Sequence, residues 1–462
     1  MSNSKSGLFF GLSLLFLVGC GVAAMFLIGN NAMAIYVIIA AVAGGYMALN
    51  IGANDVANNV SPAFGSGAIT LVGAIILAAI FETAGALIAG GTVVSTISKN
   101  IVNASMIPDT LTFIHIMIAA LFAAALWLNL ATFIGAPVST THSIVGAVLG
   151  SGIAAVGFNV VHWDVMMKIA ASWVISPVLG GFLAAAVLAF IDRAILRKDN
   201  VLRASTRWVP VLLAIMAAAF TMYLAMKGLK KIIKIDQPTI LAMGAGAFVL
   251  TAVITRPLIM RASDRLENHR RGVNKLFTIP LVCSAALLSF AHGANDVANA
   301  IGPLSAVVSA VQTAELTDKA IIPLWTMIIG AVGIALGLAL YGAKLIKKVG
   351  KHLTALNQTR AYCVCLSAAV TVIAATTLGL PVSSTHIAIG AVFGVGLYRE
   401  YVINRRLRQR EPLFVGFESK AYNPRKLVRR SELFTIASAW IITVPSAAII
   451  SAVIFYLIRQ SI

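Results

Sequence analysis

Two polar phrases are each written twice along an otherwise apolar chain. Gly52-Ala53-Asn54-Asp55-Val56-Ala57-Asn58 returns as Gly293-Ala294-Asn295-Asp296-Val297-Ala298-Asn299. Gly135-Ala136-Pro137-Val138-Ser139-Thr140-Thr141-His142 returns as Gly379-Leu380-Pro381-Val382-Ser383-Ser384-Thr385-His386. The offsets are 241 and 244 residues, and in the two copies Asp55 stands 85 residues before Thr140 and Asp296 88 residues before Ser384. Same order and same spacing mean that one half-protein unit is used twice.

Only 11% of the 462 residues are charged, 59% are hydrophobic, and the mean hydropathy is +0.93. A soluble domain carries about a quarter charged residues, so the chain belongs in a membrane. A helical span needs about 20 consecutive apolar residues. Thirteen runs qualify, near 8–28, 34–51, 68–92, 111–133, 137–157, 165–191, 208–226, 239–260, 276–292, 321–343, 361–379, 381–398 and 433–458. Alternating ten-residue strand patterns are absent. The expected fold is an all-α polytopic membrane protein with twelve core spans and, at 8–28, an extra N-terminal helix or a removed signal segment. Cys20, Cys283, Cys363 and Cys365 all lie inside apolar runs, as small hydrophobes rather than a disulfide or zinc set. Leu17-Val18-Gly19-Cys20 resembles a lipoprotein cleavage box, but with so many spans following it reads as coincidence.

The formal charge of +19 reports orientation, not nucleic acid, because the basic residues cluster between hydrophobic runs. Segments 192–207, 256–275, 344–360 and 399–430 hold 26 of the 35 Lys and Arg residues and are expected in the cytoplasm. Segments 29–33, 93–110, 158–164 and 300–320 are nearly free of them and are expected outside. Counting spans from these loops sends the run before Asp55 inward and the run before Asp296 outward. The helices starting at Pro137 and Pro381 likewise run in opposite senses. Two inverted-topology repeats with broken or re-entrant helices result, the architecture of many secondary transporters. Lys227, Lys230, Lys231 and Lys234 resist the scheme, since they must lie outside. The expected organisation is an N-terminal segment 1–33, a first repeat 34–200, connecting spans with a cytoplasmic linker 201–275, a second repeat 276–398, and a basic loop with the last span over 399–462. The charged linkers read as solvated or facing lipid headgroups.

Asp55 and Asp296 lie where hydrophobic runs end, beside Asn54, Asn58, Asn295 and Asn299, with Pro62 and Pro303 ten residues after each first glycine. Glycine and proline break helices and free backbone carbonyls. Carboxylate, amide oxygen and carbonyl are hard donors suited to Na⁺ or a proton, whereas soft metals want Cys or His. The second phrase has the opposite polarity: Pro137 and Pro381 suit the first position of a helix. Ser139, Thr140, Thr141, Ser383, Ser384 and Thr385 then place hydroxyls beside unpaired N–H groups, an anion site. Plain N-capping by Ser or Thr is the alternative. His142 and His386 follow by one residue, as helix-packing or coupling groups; a serine-histidine hydrolase would need an acidic partner nearby and would not need an inverted second copy. Glu82 interrupts the run 68–92, and a carboxylate at such depth is a functional candidate; Asn129 is a weaker one.

The doubled Gly-Ala-Asn-Asp-Val-Ala-Asn, the doubled Pro-Val-Ser-(Thr/Ser)-Thr-His, and Ile80-Phe81-Glu82 together resemble the inorganic phosphate transporter (PiT) family over about 34–458. That resemblance implies symport of inorganic phosphate with Na⁺, or with H⁺, across the plasma membrane of a prokaryote by a multi-pass homodimer that is not an enzyme and carries no cofactor. It implies that residues 139–141 and 383–385 bind phosphate, that Asp55 and Asp296 adjoin phosphate and cations, and that Asn54 and Asn295 help hold Na⁺. Two departures stand out. Residues 8–28 are additional to the usual family start, and a glutamate common before the second Pro-Val-Ser falls by spacing on Cys365. A permease for sulfate or another tetrahedral oxyanion is the near alternative, and a passive anion channel the alternative of another class.

Overall fold

The computed structural model describes residues 3–134, 138–313, 322–352, 356–410 and 431–460. Among them helices dominate: α1 (Asn3–Ile28), α2 (Ala34–Asn54), α3 (Val56–Gly65), α4 (Leu71–Ala89), α5 (Gly91–Lys99), α6 (Thr110–Ile134), α7 (Thr140–Val156), α8 (Trp163–Ile191) and α9 (Val201–Lys227). The chain continues through α10 (Gln237–Ser263), α11 (Arg270–Leu276), α12 (Thr278–Thr313), α13 (Leu324–Gly337), α14 (Ala343–His352), α15 (Gln358–Thr377), α16 (Ser384–Arg410) and α17 (Ser431–Gln460). Among the described residues eleven helical segments are long and apolar enough to cross a bilayer. Of the thirteen expected spans, 137–157 is too short, as α7 has only 17 residues. Run 381–398 likewise fails, because α16 passes from an apolar half into Arg399, Glu400 and Arg405.

The molecule is built around α12. Among the described spans it is the least apolar and the most enclosed, whereas α1 is strongly apolar and mostly exposed. A helix wrapped by other helices can carry His292, Asn295, Asp296 and Asn299, because lipid never meets them. The expectation that the second motif ends a span, with 300–320 as a loop, is corrected here. α12 runs 36 residues straight through the motif, and Asp296 is its nineteenth; positions 314–320 lie outside the described residues. Pro303 sits inside the helix without ending it. What each proline does is remove the amide that would bond four residues back, so Pro62 and Pro303 leave the carbonyls of Asn58 and Asn299 without a helical partner. Only the first copy breaks, at Asp55, where the Asn58 amide bonds the Asp55 carbonyl at 3.0 Å in a tighter turn. The expected outer loop 93–110 is also partly helical, as α5.

α2 and α12 run antiparallel. Asn31 Nδ2 donates to the Val311 carbonyl at 3.3 Å, Gly44 meets Ala300, and Asp55 and Asp296 meet at a shared hydroxyl, so numbers fall on one helix as they rise on the other. Packing between the halves repeats itself. A Cβ on Gly52 would overlap the Ile334 carbonyl and one on Gly337 the Leu49 carbonyl; in the second copy Gly293 abuts Glu82 and Gly85 abuts Phe290. Gly146 and Gly150 of α7 lie against Val444 and Ala448 of α17, while Gly390 and Gly394 of α16 lie against Pro177 and Gly181 of α8. Backbones approach this closely only where side chains are absent. Each half therefore packs its motif helices on helices of the other half.

α6 and α7 form one hairpin, with Ser151 Oγ donating to the Ile116 carbonyl at 3.0 Å. The end of α7 leads to the end of α5, where the His162 amide bonds the Ile101 carbonyl at 3.0 Å, near the Thr313 end of α12. α15 and α16 form the second hairpin. Thr359 Oγ1, at its base, bonds Asn274 Oδ1 at 2.8 Å, just ahead of the Thr278 end of α12. The two hairpins thus enter from opposite ends of α12. They meet tip to tip: Thr141 Oγ1 donates to the Val382 carbonyl at 3.0 Å, and the His142 and His386 rings stand 5.2 Å apart.

Candidate functional site

Each hairpin tip is a helix start. Ser139 is the N-cap of α7, its hydroxyl accepting from the His142 amide at 3.3 Å, and Ser383 accepts from the His386 amide at 3.3 Å. This corrects the register expected from the prolines. Pro381 lies two residues ahead of its cap instead of at the first helical position; Gly135 and Pro137 lie outside the described residues. Gly379 turns the chain between α15 and α16 at φ +71°, a conformation that favours glycine. The Gly379 amide bonds Thr376 and the Leu380 amide bonds Ala375, which closes the end of α15. The amides of residues 142, 143, 386 and 387 are used by the caps. The amides of Thr140, Thr141, Ser384 and Thr385 have no acceptor within their own helices. Two positive helix ends therefore face one another across the tips.

The motif helices supply the other wall. Thr140 Oγ1 donates to Asp55 Oδ2 at 2.7 Å and stands 3.5 Å from Asp296 Oδ2. Asn299 Nδ2 reaches Thr140 Oγ1 at 3.3 Å and Thr141 Oγ1 at 3.1 Å. Its counterpart Asn58 reaches Thr385 Oγ1 at 2.9 Å, the counterpart of Thr141. Asn54 Nδ2 bonds Thr132 Oγ1 at 3.0 Å, and Asn295 Nδ2 bonds Thr376 Oγ1 at 2.9 Å, again one pair repeated. The Asn295 amide oxygen accepts from the Val382 amide at 3.2 Å. Apart from Asn54 and Asn58, all the motif Asp, Asn, Ser and Thr residues named are buried.

One side of the site is richer than its mirror. Glu82 accepts from Asn59 Nδ2 at 2.8 Å, and His292 Nδ1 lies 2.7 Å from Glu82 Oε2. His292 Nε2 is 3.0 Å from Asp296 Oδ2, at ion-pair distance though off the hydrogen-bond direction. Cys365 Sγ lies 4.0 Å from the Asn59 carbonyl. His292 and Asn59 escaped the sequence reading because the other copy has Ile51 and Ala300 there, so duplication gave no signal; the helical spacing of His292 from Asp296 was the available clue. Thr132 and Thr376 also escaped it, although they share the 244-residue offset. Asn129, on α6, is paired with Tyr46.

Ligand atoms of Asp55, His292 and Asp296 lie within 4.8 Å of one another, close enough to hold a cation. Asp296 Oδ1, Asn299 Oδ1 and Asn59 Oδ1 are buried with no hydrogen-bond partner among the described residues. His292 is engaged with Glu82 through Nδ1, and apart from its Nε2 the atoms left for an ion are oxygens, the set a hard cation takes. His142 lies over Trp173 at 3.8 Å between centroids, and the Trp173 indole donates to the Pro381 carbonyl at 3.1 Å, so this histidine sits in the packing between the tips.

Residues 51–451 match the sequence profile of the phosphate transporter family. The chain is similar to a protein of Helicobacter pylori strain J99 named "Putative phosphate permease", 42% identical over 98% of this chain and 95% of that one. It is also similar to "Putative phosphate permease PF1020" of Pyrococcus furiosus, 36% identical over 88% of this chain and 93% of the relative. A solved structure described as "The sodium-dependent phosphate transporter" superposes with a TM-score of 0.82 at 33% identity, covering 92% of this chain and all of that one.

Proposed function

This chain belongs to the phosphate transporter family, and from that premise we propose that it is a secondary active transporter carrying inorganic phosphate with Na⁺ across the plasma membrane. The observation that carries the reading is the convergence of two opposed helix starts on two carboxylates, through Thr140 to Asp55 and Asp296 and through Thr141 to Val382. Phosphate takes the amides and hydroxyls of residues 139–141 and 383–385. Na⁺ takes Asp55, Asp296 and the open oxygen of Asn299; Asn54, Asn58 and Asn295 brace the hairpins.

Coupling follows from charge. Two carboxylates beside a phosphate repel it, and leaving an anion unpaired in the interior costs tens of kcal/mol by Born reasoning. In this structure the Asp55 carboxylate itself takes the Thr140 hydroxyl. A cation at Asp55 draws that carboxylate away, releases the donor, and offsets the repulsion, so each species binds better with the other and the effect is reciprocal. Alternation uses the inverted repeats, which the doubled glycine contacts and the antiparallel α2 and α12 support; by the same contacts α17 belongs with the second repeat. The two mouths differ here. Thr376 and Asn295 are buried, and Thr96 Oγ1 seals the second tip by donating to the Gly379 carbonyl at 2.8 Å, while Asn54 and Thr132 remain accessible.

The test is uptake of radiolabelled phosphate into proteoliposomes under imposed Na⁺ or H⁺ gradients, with sulfate as competitor. Saturable uptake driven by Na⁺ and resistant to sulfate is expected. Uptake driven by a proton gradient alone replaces Na⁺ in the scheme, displacement by sulfate identifies a broader oxyanion carrier, and unsaturable flux without a cation gradient overturns coupled transport.

A further inference from the structure

The lysines between α9 and α10 stand at the ends of these helices opposite the basic segments 192–207 and 256–275, against the usual distribution. Lys227 closes α9 and is held in place by its own helix: Phe220 and Tyr223 pack edge-on against Phe290 of α12, at 5.0 and 6.2 Å between centroids. Its Nζ lies 3.4 Å from Thr92 Oγ1 and 3.3 Å from the Thr377 carbonyl. Both partners belong to the seal over the second hairpin tip. Thr92 is one turn before Thr96, which holds Gly379, and Thr377 adjoins Thr376, which holds Asn295. Thr376 is fully buried, yet Leu378 two residues on is 74% exposed. The buried partner of Asn295 is therefore two residues in sequence from an exposed position, and the Lys227 ammonium stands beside the residue between them. Lys230 and Lys234 are exposed beyond it.

A lysine in the last turn of a helix is ordinarily explained by the helix dipole. That accounts for Lys227 near the end of α9 but not for its reach across to α5 and α15. We propose that Lys227 is the outer acquisition site for the tetrahedral oxyanion, collecting phosphate at the mouth above Gly379 before the tip opens, with Lys230 and Lys234 extending the positive field. The assignment rests on the phosphate-transport reading. Such fields raise encounter rates by roughly 10- to 1,000-fold and fade over a screening length of about 8 Å at physiological salt. An ammonium binds phosphate as a point charge, so the role tolerates another cation but not a neutral side chain.

Initial rates of phosphate uptake in proteoliposomes test this. Lys227→Met should raise KM about tenfold, at the lower end of such steering, leave kcat nearly unchanged, and flatten the dependence of uptake on ionic strength; Lys227→Arg should restore all three. In Lys227→Cys, an aminoethyl methanethiosulfonate that adds an ammonium from outside should lower KM again, and the sulfonatoethyl reagent, which adds an anion, should raise it further. Parent protein treated with each reagent controls for the native cysteines, and the reagent pair gives the answer even where Lys227→Met fails to insert. An unchanged KM in Lys227→Met, or equal effects of both reagents, with normal parent uptake, overturns this assignment alone. Absence of saturable uptake by the parent overturns the transport reading and this assignment with it.

Discussion

Glu82 stands mid-span with its two oxygens divided between Asn59 and His292, and His292 in turn stands against Asp296. Removing one member of such a buried set leaves the other with an unmet polar group, at about 1–3 kcal/mol, whereas removing both can be nearly neutral. Glu82→Gln and His292→Ala should therefore each lower the melting temperature in detergent, and the double variant should lose clearly less than the sum; strict additivity would refute the pairing. In the proposed scheme Asp55 and Asp296 face a different demand, because there the charge of the bound cation must be met. Asp55→Asn and Asp296→Asn should insert normally and lose Na⁺-dependent uptake, and normal transport by both would remove the carboxylates from the scheme. These aspartates, the asparagines beside them and the tip hydroxyls were legible in the sequence because each is written twice. His292, Asn59 and Glu82 have no second copy, and only Glu82 betrayed itself, as an acid within an apolar run. Thr132 and Thr376 were duplicated but inconspicuous, since threonine is common at helix contacts in membranes.

At the scale of helices, what holds the bundle together is the absence of side chains at chosen places. Gly85 and Gly293 lie so close to the Phe290 and Glu82 carbonyls that a methyl group would overlap backbone, and neither side has a flexible atom to move. Gly85→Ala and Gly293→Ala should each force α4 and α12 apart and sharply reduce the folded fraction recovered in detergent. Gly246 of α10 meets nothing within 4 Å, so Gly246→Ala should be at least as stable as the parent, by about 0.5–1 kcal/mol at most. Equal behaviour of the three variants would show that the contacts carry no weight. Helix existence was readable from hydropathy, because lipid-facing surface must be apolar. Helix ends were not. α12 passes through Gly293, Asn295 and Pro303, since enclosure by neighbours removes the penalty on polar groups that hydropathy assumes. The tips went the other way: 137–157 and 381–398 looked like full spans, yet α7 is short and the apolar part of α16 gives way to charge.

For the molecule as a whole, the difference between the two mouths is the quantity to measure. Thr132→Cys should react readily with a hydrophilic thiol reagent applied from the cytoplasmic face, and Thr376→Cys should not; adding Na⁺ with phosphate should slow the first or expose the second. Equal reactivity throughout would remove the asymmetry on which the proposed alternation depends. The glycine contacts across the halves also bear on how the protein comes to exist. Gly146 and Gly150 of α7 await Val444 and Ala448, each 298 residues further along the chain. Until then the early helices wait in the bilayer with bare backbone grooves, and the late helices arrive as the missing teeth of a zip. Closure of α7 is thereby tied to the arrival of α17: a product that stops short of α17 leaves that groove open.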